Sequence, residues 1–147
     1  MVSGDGFAVH GVGATDVART AIALVVSAVV EIGLHTVRLP RLSRLLGVPL
    51  DTVGPREPDI AAPVIVPRRA RRRLAAARRA LKYWPFGDSC LRMALVGGFL
   101  VRDLDPVLRI GVAKHDGVVK AHAWIEIGGL SIDPGAADFA PVESARS

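Results

Sequence analysis

The sequence predicts an α+β fold, a helical N-terminal half followed by one cysteine-bearing helix and an antiparallel sheet. Three observations carry it. Up to about residue 102 the apolar residues come at helical spacing or in unbroken runs, punctuated by proline and glycine. From Val107 onward the period changes to two. Gly128-Gly129 then sits between two alternating segments, where a two-residue hairpin turn belongs.

The chain has 147 residues with 15 Gly, 10 Pro and one Cys. That length suits one compact domain, divided here into a helical N-terminal region with a proline-rich linker (1–66) and a core (67–147). A single thiol excludes an internal disulfide and a cysteine-based zinc site.

Residues 1–14 are glycine-rich and aperiodic, a loose terminus. Thr15 or Asp16 can cap a helix running to about Val37, which Pro40 ends. Within it Thr20–Val30 is uncharged and apolar on all sides, the pattern of a buried helix. A bilayer span needs about 20 such residues, and Glu31 interrupts this run. Asp5 and Asp16 occupy the flank where a signal peptide carries positive charge. The expectation is a cytoplasmic protein without membrane contact, with an interfacial helix as the alternative.

Leu42–Leu46 reads as a short helix closed by Gly47, and five prolines between Pro49 and Pro67 mark a linker. Next comes a helix with Ala70, Leu74, Ala77, Leu81 and Trp84 on one face. Its other faces hold eight basic residues between Arg68 and Lys82 and no acidic one; the rest of the chain has 11 basic against 14 acidic residues. The net charge of +5 thus belongs to one helix. This surface is either simply solvated or a dock for an acidic peptide or partner. Nucleic acid is not expected, because no binding module or aromatic platform accompanies the charge.

Asp88 or Ser89 can cap a further helix starting at Cys90 and finishing near Arg102, weakened by Gly97-Gly98. The sheet that follows can be registered from its turns. Closing at Gly128-Gly129 sets Ile127 opposite Leu130, Glu126 opposite Ser131, Ile125 opposite Ile132 and Trp124 opposite Asp133, apolar against apolar. A four-residue loop Lys114–Gly117 sets Val112 opposite Val119, Ile110 opposite Ala121 and Leu108 opposite Ala123. Three antiparallel strands result. Val119, Ala121, Ala123, Ile125 and Ile127 lie on the buried face, and Lys120, His122, Trp124 and Glu126 on the polar one.

In that register Asp133 is the diagonal neighbour of His122, about 7 Å away between α-carbons. Glu126 lies about 13 Å along the strand, too far to orient the imidazole. Cys90 opens a helix, where unpaired N–H groups and the positive dipole end favour negative charge. Thiol, imidazole and carboxylate are the parts of nucleophilic acyl chemistry. A lone cysteine is more often a small buried hydrophobe, and a lone strand histidine more often structural. His10, His35 and His115 fall in a terminus, a helix end and a turn. No HExxH, His-x-His or acidic cluster suggests a metal, no GxxxxGK[ST] suggests a nucleotide, and no cofactor is expected.

The runs Ser89-Cys90-Leu91-Arg92-Met93-Ala94-Leu95, Arg109-Ile110-Gly111-Val112 and Ala121-His122-Ala123-Trp124-Ile125-Glu126, with Asp133 after them, resemble the transglutaminase-like leader peptidases of lasso-peptide biosynthesis. Met93 and Gly97-Gly98 depart from that family's usual residues. The resemblance implies a papain-like core and a cysteine protease. It would remove the leader from a ribosomally made precursor, freeing an amine that an ATP-using lasso cyclase joins to a side-chain carboxyl. Carried over by motif, Cys90 is the nucleophile, His122 the general base and acid, Asp133 the orienting carboxylate, and the Cys90 N–H an oxyanion donor. The family's leader-binding element has no counterpart among these helices, which implies a separate leader-recognition protein. Arg71, Arg72, Arg78 and Arg79 are then candidates to contact that partner or the leader. Two other classes remain open: another transglutaminase-like amidase or acyltransferase, and a non-catalytic interaction protein on the same fold.

Overall fold

A computed structural model describes residues 13–51 and 66–141. The glycine-rich start, residues 52–65 of the proline-rich linker and residues 142–147 lie outside the described residues. Four helices come in order: α1 (Ala14–Thr36), α2 (Leu39–Leu45), α3 (Arg68–Lys82) and α4 (Cys90–Leu100). Four strands follow: β1 (Val107–His115), β2 (Val118–Ile127), β3 (Leu130–Ser131) and β4 (Ala140–Pro141). Short 3-10 turns occupy Arg102–Leu104 and Pro134–Asp138. The strands form one antiparallel sheet in the order β3-β2-β1-β4.

Several boundaries differ from the sequence-based expectation. Gly13 caps α1 with no side-chain bond, and Asp16 instead pairs with Arg19 in the first turn. Pro40 does not end α1; it lies in the first turn of α2, where its missing N–H costs nothing. Helix α4 stops at Leu100, and Arg102–Leu104 tightens into the 3-10 turn. Within the proline-rich segment, Leu50 makes a parallel bridge to Leu108.

The β2–β3 hairpin has the expected register, Glu126 opposite Ser131 and Ile127 opposite Leu130, turned by Gly128 (φ 61°) and Gly129 (φ 81°). The β1–β2 register is two residues away from the expected one. Val112 faces Ala121, Ile110 faces Ala123 and Leu108 faces Ile125. The reason is the turn: Asp116 (φ 50°) and Gly117 (φ 81°) are both left-handed and close a two-residue hairpin, with His115 and Val118 as its last pair. A slip of two leaves every side chain on its own face, so alternation alone cannot tell the two registers apart. The hairpin tip also reaches past the helices, leaving Val119 and Ala121 exposed. On the face expected to be polar, Trp124 is buried.

Helix α4 lies at the centre, against α1, α3 and the sheet. Leu95 and Val96 meet Val26 and Val30 of α1, Leu74 and Leu81 of α3, and Leu108, Ala123 and Ile125 of the sheet in one core. Full burial of each such leucine contributes about 1.5–3 kcal/mol. The two glycines of α4 are what allow this proximity. A Cβ at Gly98 would stand 2.7 Å from Val48 Cγ1, and one at Gly97 3.1 Å from Leu74 Cδ2.

Helix α1 is not buried all round. One face packs inward through Ala23, Val26, Val30 and Gly33, while Val17, Ile22, Val25, Val29 and Ile32 remain more than half exposed. Its contacts are chiefly with α3 and α4, and fewer with α2. By length and composition α1 could cross a membrane, although a third of its apolar window is buried within the domain.

Glu31, the charge that interrupts the apolar run, is buried and receives Arg92 as a two-pronged partner (Nε–Oε2 2.7 Å, NH2–Oε1 2.9 Å). Trp84 Nε1 adds a longer bond to Oε2 at 3.4 Å. The Arg92 guanidinium holds the Glu31 carboxyl below the ordinary carboxylate range, against the opposing effect of burial. Because Arg92 is in the first turn of α4, this ion pair ties the start of that helix to α1.

Two outcomes follow from this packing. Gly98→Ala lowers unfolding stability by about 1–3 kcal/mol in chemical denaturation, because Val48 must move away from the added methyl. Glu31→Gln gives the second. The folded chain holds the Glu31 proton less tightly than the unfolded chain does, so the pair's stabilisation is complete above the unfolded value near 4.5 and is lost as pH falls through the folded value. Thermal melts at neutral pH place wild type above Glu31→Gln, and the gap narrows as pH falls below 4.5.

Candidate active site

Ser89 ends the loop after α3 and caps α4, its hydroxyl accepting from Arg92 N at 3.4 Å. Cys90 is therefore the first helical residue, and its thiol is half-buried. In the first turn of an α-helix the backbone N–H groups have no intrahelical acceptor, so this end presents donors as well as a thiol.

His122 comes from the middle of β2. Its Nε2 lies 2.7 Å from Asp133 Oδ2, and beside a carboxylate the natural assignment makes Nε2 the N–H donor and leaves Nδ1 with the lone pair. Asp133 leaves the sheet just after β3 and caps the Pro134–Asp138 turn, its Oδ1 accepting from Gly135 N at 2.9 Å. One carboxylate oxygen thus fixes the turn and the other the imidazole. The diagonal pairing read from the hairpin brings these two residues together.

The imidazole ring meets two aromatic rings, Trp124, stacked with centroids 5.9 Å apart, and Phe139, tilted with centroids 4.9 Å apart. Gly111, its cross-strand partner on β1, brings no side chain to that face. Trp124 is itself held, since its Nε1 donates to Glu126 Oε1 at 3.3 Å and Glu126 Oε2 accepts from Arg109 Nε at 2.9 Å. Arg109 is buried and also donates to the Asp51 carbonyl at 3.2 Å. Glu126, too far along the strand to reach His122, supports the platform on which the ring stacks. Phe139 was not anticipated, because neither the 3-10 turn nor the two-residue β4 leaves a periodic signal.

Cys90, His122 and Asp133 line one cavity of about 300 Å³, walled by Leu74, Met93 and Ile132. Of the four arginines expected at a docking surface, Arg78 lines this same cavity, and Arg71 and Arg72 are exposed on α3. Arg79 does not belong with them. It sits one residue from Ala80, which packs with Ala76 on Ala23 of α1, and its Nε donates to Thr20 Oγ1 at 3.2 Å. Its NH2 is buried with no hydrogen-bond partner among the described residues. Also among the described residues, no three His, Cys, Asp or Glu side chains gather into a metal-sized cluster.

A scan against protein families matches residues 33–144 to the transglutaminase-like superfamily. No curated protein and no solved structure matches the chain. The matched range runs from the end of α1 through β4, taking in Cys90, His122 and Asp133 and the helix and strands that bring them to one cavity. Covering well over half of the 147 residues, it shows that the chain belongs to the transglutaminase-like superfamily.

Proposed function

We propose that this chain is a cysteine peptidase of the transglutaminase-like type, with Cys90 as nucleophile, His122 as general base and acid and Asp133 as orienting carboxylate. The observation that carries the reading is the thiol at a helix start sharing one cavity with the bonded His122–Asp133 pair. With Nε2–H committed to Asp133, His122 Nδ1 takes the thiol proton, and the thiolate attacks the scissile carbonyl carbon. The resulting oxyanion is met by the Cys90 N–H and the positive end of α4. His122 then gives its proton to the leaving amine, and a water activated by the same imidazole hydrolyses the thioester. Asp133 and the Trp124 platform hold the ring through both proton transfers.

The substrate in this reading is a lasso-peptide precursor, cut between leader and core in the cytoplasm. A separate recognition protein delivers the leader, and a cyclase consumes the freed amine. The support is the resemblance carried by the Cys90, Arg109 and His122 runs, together with membership of the superfamily. Arg78 at the cavity, with Arg71 and Arg72 beyond it on α3, offers cations to an acidic stretch of leader or partner.

The test incubates a precursor peptide encoded beside this chain's gene with its recognition protein and follows leader release by mass spectrometry. Cys90→Ala and His122→Ala abolish release, and Asp133→Asn slows it roughly 10²–10⁴-fold through loss of the correct tautomer. Undiminished release by Cys90→Ala or His122→Ala refutes the mechanism. Repeating the reaction with added glycine methyl ester separates hydrolysis from acyl transfer, since an acyltransferase leaves the ester amide-linked to the leader's carboxyl end.

A further inference from the structure

We infer that the outward side of α1 and the cleft beside it dock an amphipathic helix of a partner protein, one whose apolar stripe is bordered by carboxylates. Ala14, Ala18, Ala21, Val25, Ala28 and Ile32 recur at spacings of four and three, the seam into which one further helix packs. Val25 and Ile32 are each 65% exposed and Ile22 55%, and the alanines let a second backbone approach closely. An apolar surface running the length of a 23-residue helix is unusual on an unpartnered soluble domain.

Charge identifies the occupant. Next to Ile22 a cleft of about 560 Å³ opens between α1, α3 and the end of α4, floored by Ala76, Phe99 and Leu100. Arg19, Arg73 and Arg102 stand around it, against Asp103 in its wall and Asp16 beside Arg19. These guanidiniums are held in place. Arg73 bonds Asp103 Oδ1 at 2.7 Å and the Leu100 carbonyl at 3.2 Å, and Arg102 lies over the Phe99 ring at 4.3 Å. Exposed Arg69 and Arg72 lie one turn away from Arg73 and Ala76 on α3, extending the cationic border. A second copy of this chain would bring the same cations to the seam. A bilayer would cover the α1 stripe without matching the cleft, whereas an apolar side chain flanked by carboxylates meets both its apolar residues and its arginines. The inference does not depend on chemistry at Cys90.

The probe is a fluorescein-labelled helical peptide of about three heptads with Leu at a and d and Glu at e and g, compared with the same peptide carrying Lys at e and g. Anisotropy titrations are expected to show saturable binding of the Glu peptide that weakens with salt, and no binding of the Lys peptide. Val25→Glu and Arg102→Glu, each with a thermal melt confirming the fold, weaken binding about tenfold or more. Cys90→Ala binds like wild type. Equal affinity for both peptides, binding of neither, or binding undisturbed by Val25→Glu overturns the inference. So does co-sedimentation with phosphatidylglycerol vesicles that Val25→Glu abolishes, which assigns the face to a membrane. A dimer that Val25→Glu dissociates assigns it to a second copy and overturns the inference as well.

Discussion

The fold turns on how closely α4 is held by its neighbours. Gly98 admits Val48 to a distance a side chain would forbid, Gly97 lets Leu74 approach closely, and the Glu31–Arg92 ion pair fixes the helix's first turn against α1. The packing sets how closely α4 approaches α3 and Val48, and the ion pair sets the position of its N-terminal end. Together they decide where a thiol one residue inside that end is found. A buried ion pair gains little over an apolar pair of the same shape, because desolvation offsets most of the attraction. Its value here is directional, since a bidentate guanidinium accepts only one arrangement of the two helices.

The residues of the strand that carries the imidazole divide their work by parity. Ala123 and Ile125 enter the core beneath α4, while His122, Trp124 and Glu126 occupy the opposite face. On that face the roles form a chain: Arg109 holds Glu126, Glu126 holds Trp124, and Trp124 stacks on His122. Burying Arg109 is tolerable because oxygens from two directions, Glu126 and the Asp51 carbonyl, replace its water. The orientation of the imidazole therefore depends in part on Arg109 and Glu126, side chains outside the lining of the cavity.

Much of this was legible in the sequence, and the failures have physical causes. Gly128-Gly129 specified its hairpin, and through it the His122–Asp133 contact, because a two-glycine turn admits one register. The other hairpin differs by two residues from the expected register because alternation is blind to even slips; the pair that carries the observed register is Asp116-Gly117, a dipeptide suited to a two-residue left-handed turn. Apolar residues on all sides of α1 suggested burial, yet a domain this small has neighbours for only one of its faces. Glu31 looked like an interruption, since its partner Arg92 lies 61 residues away and no local pattern links them. The thiol's arrival in the same cavity as the imidazole is a tertiary fact of the same kind, outside the reach of periodicity.

That difference in range divides the site into two parts with different origins. His122 and Asp133 are 11 residues apart and are joined by one tight hairpin, a contact that needs almost no loop closure. The thiol is positioned through a contact between residues 61 apart in sequence. Damage to the N-terminal half would thus leave the imidazole–carboxylate pair intact while releasing the thiol from it. On the proposed reading the helices before Cys90 are in this sense part of the catalytic apparatus, and a fragment holding only the strands would keep the imidazole–carboxylate pair without the thiol.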